Sequence, residues 1–257
     1  MPKVFMCRVM LCLSILLCAF GGTVAAQETT LIVRAKANDA KFIGTGIGGV
    51  QVSVSHANSG AVLAQGLIRG GTGDTAVLME KPSARGERIS DESAAAFKAV
   101  LDIDEPTLLN IRMHGPLGGG STVVDASQSV WLLPGKDIDG DGIVFNLYGF
   151  AVIPLAPYAN TKIDPQERVT LSAYVTMLCG CPITQGGIWD AAKYTVEAQI
   201  WDEDTLLERV SMQPEDGAGV FSASYVPRAS GNYRIIFTAA DSTTHNYGVA
   251  YTGIAVK

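Results

Sequence analysis

Cationic clusters, helical periodicity and the residue sets that usually carry chemistry are all scarce in this chain of 257 residues. Lysine and arginine number 19 against 25 aspartates and glutamates, a formal net charge of −6. No basic stripe breaks that balance, so nucleic acid and anionic membrane surfaces are poor partners, because both need a positive face. The three histidines, His56, His114 and His245, are scattered in unrelated contexts. There is no nucleophile elbow, no zinc-protease helix and no evident Ser/His/Asp arrangement, which removes the commonest routes to hydrolysis. A glycosidase needs only two carboxylates at the right separation, so the sequence leaves that pair open. "WDEDTLLE" (Trp201 to Glu208) supplies acids but reads as a charged hairpin turn.

Cysteine is also rare once the N-terminus is set aside. Lys3 and Arg8 precede an apolar run, "VMLCLSILLCAF" (Val9 to Phe20), and "VAAQ" (Val24 to Gln27) places small residues before a cleavage point after Ala26. The run is shorter than the ~20 residues of a membrane helix. Leu17 stands before Cys18 where a lipoprotein signal wants a small residue. Residues 1–26 therefore predict a cleaved signal peptide and a periplasmic or extracellular mature chain without a transmembrane helix. Cleavage removes two basic residues and no acidic one, taking the charge from −6 to −8. Cys7, Cys12 and Cys18 leave with the signal, so only Cys179 and Cys181 remain. Two cysteines do not make a disulfide-dense scaffold, and packed cores must supply the folding energy.

What is present is alternation. "GVQVSVSHA" (Gly49 to Ala57) puts Val50, Val52 and Val54 on one face and Gln51, Ser53 and Ser55 on the other. "VTLSAYVTMLC" repeats the pattern from Val169 to Cys179, and "YTVEAQIW", "VFSASYVP", "YRIIFTAAD" and "GVAYTGIAV" follow at sandwich spacing. The polar, proline-bearing "YANTKIDPQE" (Tyr158 to Glu167) marks a boundary. The fold class predicted is all-β: two antiparallel β-sandwich domains, over 27–157 and 158–257. "SARGERISDESAAAFKAVL" (Ser83 to Leu101) breaks the pattern. It reads either as a short helix capped by Ser90 or Asp91 with Ala94 to Ala96 in its body, or as a long ordered loop.

"PRASGNYRIIFTAAD" (Pro227 to Asp241) resembles the late strand of immunoglobulin-like domains of secreted bacterial proteins, where proline and Gly-x-Tyr precede an alternating strand. The resemblance implies that Tyr233 is a corner tyrosine returning its hydroxyl to nearby backbone. That family's paired core cysteines are absent. "IGGVQVSVSHANSGAVLAQG" (Ile47 to Gly66) is similar to the opening hairpin of transthyretin-like and carboxypeptidase-regulatory-like modules. Both resemblances imply binding or spacer roles and name no ligand.

Three motifs remain. In a strand, Met177, Cys179 and Cys181 share a face, and one thioether with two thiols suits Cu(I), or Zn(II) if a histidine joins. An oxidising compartment favours a Cys179–Cys181 disulfide, which needs the backbone to kink at Gly180; ordinary thiols are the third alternative. "DIDGDG" sets Asp137, Asp139 and Asp141 two apart with Gly142 next, like the first half of a calcium loop. Tyr148 stands where the bidentate glutamate belongs, so the alternative is a solvated Asp-Gly turn. "GTGIGG" (Gly44 to Gly49) is followed by a strand rather than a helix, and reads as a turn.

Together these features predict a non-catalytic, exported binding or structural protein whose partner is a protein or small ligand. The alternatives are a copper-binding or redox protein using Met177, Cys179 and Cys181, and a calcium-stabilised adhesion or scaffold module. Far-UV circular dichroism of the chain from Gln27 onward is expected to be strand-dominated, and a helical spectrum would overturn the fold class.

Overall fold

A computed structural model describes residues 26–81 and 83–257; the signal peptide expected over 1–26 lies almost wholly outside them. The chain is all-β. In the N-terminal half, β1 (Gln27–Ala37), β2 (Val50–His56), β3 (Val62–Ile68), β4 (Phe97–Ile103), β5 (Thr107–Gly115), β6 (Val124–Leu132) and β7 (Ile138–Leu147) form two sheets, ordered β4-β1-β7 and β3-β2-β5-β6. Alternation drives this pairing. Val50, Val52 and Val54 of β2 and Leu109 and Ile111 of β5 are fully buried, while their in-between neighbours face water. All pairings are antiparallel except β1 with β7, which is parallel.

The second half comprises β8 (Phe150–Ala156), β9 (Thr161–Ile163), β10 (Val169–Met177), β11 (Thr195–Asp202), β12 (Thr205–Ser211), β13 (Gln213–Pro214), β14 (Val220–Tyr225), β15 (Gly231–Asp241) and β16 (Asn246–Val256). Its sheets run β13-β14-β10-β8 and β12-β11-β15-β16-β9. Leu171, Ala173, Val175 and Met177 of β10 are fully buried, as the period-two pattern requires. Tyr233 donates its hydroxyl to the Ala229 carbonyl at 2.8 Å and is itself buried. This is the corner expected of an immunoglobulin-like sandwich. "WDEDTLLE" is the β11–β12 hairpin, with Asp202 paired to Thr205.

Two stretches differ from the sequence reading. β8 lies before the boundary expected at Pro157, yet it pairs with β10 from Ser172–Ala156 to Met177–Phe150. The sheet pairing changes hands at the Tyr148–Gly149 turn, where Gly149 takes φ +138°. "IVFNLYGFAVIPLAP" is apolar on both sides of that turn, so composition does not show the change. "SAAAFKAVL" contains no helix. Ala94 and Ala96 make bridges to Gly71 and Arg69, and β4 begins at Phe97. Ala94 and Ala95, at the end of the β3–β4 connection, are buried, and that packing overrides their helical preference. The ordered-loop alternative describes the part of this segment before β4; a helical turn precedes the segment, at Ala76–Glu80.

The two halves share one continuous buried core. Asn246, fully buried, is the polar pin at the junction. Its Oδ1 accepts from the Gly149 amide at 2.9 Å, and its Nδ2 donates to the Asn38 carbonyl at 3.1 Å and to Thr244 Oγ1 at 3.0 Å. Thr122 repeats the device, donating to the Val249 carbonyl and accepting from the Val152 amide, each at 3.2 Å. Replacing Asn246 with alanine strands a buried amide and a carbonyl, so Asn246→Ala is expected to cost about 3 kcal/mol of unfolding free energy. Tyr233→Phe removes one bond and is expected to cost about 1 kcal/mol. Chemical denaturation of both variants checks the order.

Candidate functional site

The cysteine turn lies where β10 meets the N-terminal sandwich. Gly180 adopts φ +76° and its amide donates to the Met177 carbonyl at 2.8 Å, while the Met177 amide donates back to the Cys181 carbonyl at 3.2 Å. That tight loop brings the two sulfurs face to face, with Cα atoms 5.3 Å apart, inside the disulfide range. The kink expected at Gly180 is thus present. Both cysteines are buried, and Met177 is fully so, in register with Phe150 of β8.

A recess of about 340 Å³ opens beside the turn. The cysteine turn and Trp189 form one wall; Lys41, Thr72 and Thr75 from the N-terminal loops form the other. Lys41 Nζ donates to Thr75 Oγ1 at 2.8 Å, and Trp189 Nε1 donates to the Asp39 carbonyl at 2.8 Å. Nearby, burial lowers the Lys36 pKa, which Asp39 partly restores, and burial raises the Asp39 pKa against Lys36. Lys41 was not legible as a site residue: it lies far from "MLCGCP" in sequence, and only docking of the halves brings it there, whereas Trp189 follows the cysteines closely and reaches the recess through the local loop in which the Thr184 amide donates to the Trp189 carbonyl at 3.0 Å.

No histidine lines this recess. His56 Nδ1 accepts from the amides of Asn58 and Ser59 at 3.2 and 3.4 Å, tying off the β2–β3 turn. His114 Nδ1 faces Asp125 Oδ1 at 3.0 Å on the outer face of β5 and β6. His245 sits at the β15–β16 turn with φ +60°. Among the described residues, no group of three or more His, Cys, Asp or Glu side chains is placed to hold a metal ion.

The aspartates of "DIDGDG" are divided between two tasks. Asp137 Oδ1 accepts from the Thr30 amide at 2.7 Å, fastening β1. Asp141 accepts from the amides of Ser90 and Ile89 at 2.8 and 3.0 Å, fastening the β3–β4 connection. Asp139 is exposed. Burial pushes the Asp141 carboxyl up, but the Ser90 hydroxyl, the two amides and the Arg34 charge outweigh it, and its pKa falls below the usual range. Arg34, buried on β1, donates through Nη1 to the Ala94 and Ala95 carbonyls and lies 5.7 Å from the Phe42 ring centre. Arg34 and Asp141 therefore grip the same connection from two points.

No family model and no curated protein matches the chain. Among solved structures, an engineered protein is similar over 49% of this chain and 24% of its own length, with 16% identity and a TM-score of 0.32. Fibronectin(III)-like modules of CbhA from Clostridium thermocellum align over 41% of this chain and 94% of theirs, at 20% identity and a TM-score of 0.28. The titin domains Z1Z2, crystallised with telethonin, align over 91% of this chain and 96% of theirs, at 11% identity and a TM-score of 0.25. The sandwich assignment rests on the strand pairing described above.

Two outcomes follow from the site geometry. A bridge between Cys179 and Cys181 closes a three-residue loop, so the double variant Cys179→Ser/Cys181→Ser is expected to lose no more than about 2 kcal/mol by chemical denaturation. Asp141 has a depressed folded-state pKa, so its contribution is present above the unfolded value, about 3.9, and is lost as pH falls through the folded value. Melting curves of Asp141→Asn are expected to lack that acid-side loss and to lie below those of the parent at neutral pH.

Proposed function

We propose that the mature chain is an exported, non-catalytic β-sandwich protein that acts as a binding or structural module. The observation that carries this reading is the junction: one apolar core runs through both halves, with Asn246 and Thr122 pinning them together. Halves joined this way hold their outer sheet faces in fixed relation, which suits presentation or spacing of surfaces better than opening around a substrate. The N-terminal pattern of Lys3, Arg8, the apolar run and "VAAQ" supports export, to the periplasm or beyond. In such a compartment Cys179 and Cys181 form a bridge that locks the turn against Ile47, whose side chain lies beside Gly180. Copper at Met177, Cys179 and Cys181, or calcium at Asp137, Asp139 and Asp141, gains no supporting constellation from the described residues and is not part of this reading.

The test combines location with cooperativity. The native product is expected outside the cytosol, with an intact mass corresponding to a start at Gln27 and two hydrogens lost at the cysteines. Scanning calorimetry is expected to show one transition. A cytosolic product retaining residues 1–26, or two independent transitions, would overturn the proposal.

A further inference from the structure

The outer face of the five-stranded sheet carries a feature that none of the sequence motifs announced. β15, β16 and β9 pair so that Arg234 stands beside Gly253, and Asn232, Ala255 and Lys162 form the next row; Asn160, in the turn before β9, donates its amide to the Gly253 carbonyl at 2.9 Å. In these two rows the middle strand contributes only Gly253 and Ala255, and polar side chains flank them on either side. The result is a trough of about 500 Å³ with a small-residue floor. Its walls stand two strand spacings apart, about 10 Å. None of its lining residues is acidic, although the mature chain as a whole is acidic.

Neither cation meets a carboxylate: among the described residues Arg209 pairs with Glu197, and no acidic side chain is within ion-pair distance of Arg234 or Lys162. Arg234 makes one long contact, 3.4 Å to the Glu203 carbonyl, and lies 5.6 Å from the Trp201 ring centre. Trp201 thus borders the trough beyond Arg234, and the exposed ring of Tyr251 stands on the same face, two residues along β16 from Gly253.

We propose that this trough binds an acidic saccharide, a sugar chain bearing carboxylates. Arg234 offers a planar fork that matches a carboxylate, and Lys162 opposite supplies a second positive charge. Asn160 and Asn232 each carry a donor and an acceptor, the pairing that hydroxyl groups need. Trp201 backs the Arg234 guanidinium, and the exposed Tyr251 ring provides a face on which the C–H side of a sugar ring can lie. Inorganic sulfate would use the cations and the amide N–H groups but offers no donor to the asparagine carbonyls and nothing to the aromatic ring. The inference deepens the binding reading above and rests on it; failure of a sugar assay would leave the export and calorimetry results, which test that reading, untouched.

The test is isothermal titration calorimetry of the full mature protein with trimers of galacturonate, mannuronate and glucuronate. A neutral galactose trimer and inorganic sulfate serve as comparison arms. At least one uronate trimer is expected to bind at millimolar concentration or below, more weakly as salt rises. Arg234→Ala is expected to weaken it about tenfold or more, because a charge-assisted bond is lost. Ala255→Val, which suits a strand but fills the floor, is expected to abolish binding with the melting temperature kept. Absence of binding by all three uronates, equal binding of the neutral trimer or of sulfate, or affinity unchanged in both variants would overturn the proposal.

Discussion

A buried amide that must find partners on both sides of a junction sets the frame for the rest of this molecule. Asn246 has no exposure to water, so every polar atom it carries has to be satisfied by the protein. Its partners come from the start of the chain at Asn38, from the Tyr148–Gly149 turn, and from the β15–β16 connection at Thr244. Those contacts can form only in one arrangement of the two sandwiches. Apolar packing across the junction supplies the driving force and is tolerant of small slides; the hydrogen bonds select one alignment.

The same logic organises the long connection between β3 and β4. A stretch of this length without regular structure needs anchors to stay ordered. Arg34 reaches from β1 to its carbonyls, and Asp141 reaches from β7 to its amides. Two small buried residues, Ala94 and Ala95, let the connection lie close to the sheet. A pattern that resembles a calcium loop in one dimension thus becomes, in three, a pair of backbone ties: Asp137 and Asp141 point to different segments and share no common focus.

The cysteine turn and the trough illustrate two ways in which a sandwich acquires a site. At the turn, the chain kinks through Gly180 and the recess is completed by loops of the other half. On the five-stranded sheet nothing kinks; small residues in a middle strand leave space that longer neighbours enclose. The first site depends on docking of the halves, the second on register within one sheet.

The sequence by itself determined what depends on neighbours in the chain. Period-two alternation put Val50, Val52, Val54 and the β10 residues in the core, because successive side chains in a strand point to opposite faces. The Gly-x-Tyr motif identified the Tyr233 corner, whose bond spans four residues, and Gly180 marked the cysteine kink for the same local reason. Tertiary structure alone decided which strand pairs with which: β8 joined β10 although its apolar run continues from β7, and Phe97 opened a strand where the sequence left a short helix or an ordered loop open. It also decided where the aspartates point, that Lys41 meets the cysteines, and that Arg234 and Lys162 stand diagonally across Gly253 and Ala255. Each of these is a contact between residues distant in sequence, fixed by packing and hydrogen-bond satisfaction over the whole molecule, and a one-dimensional pattern carries no record of it.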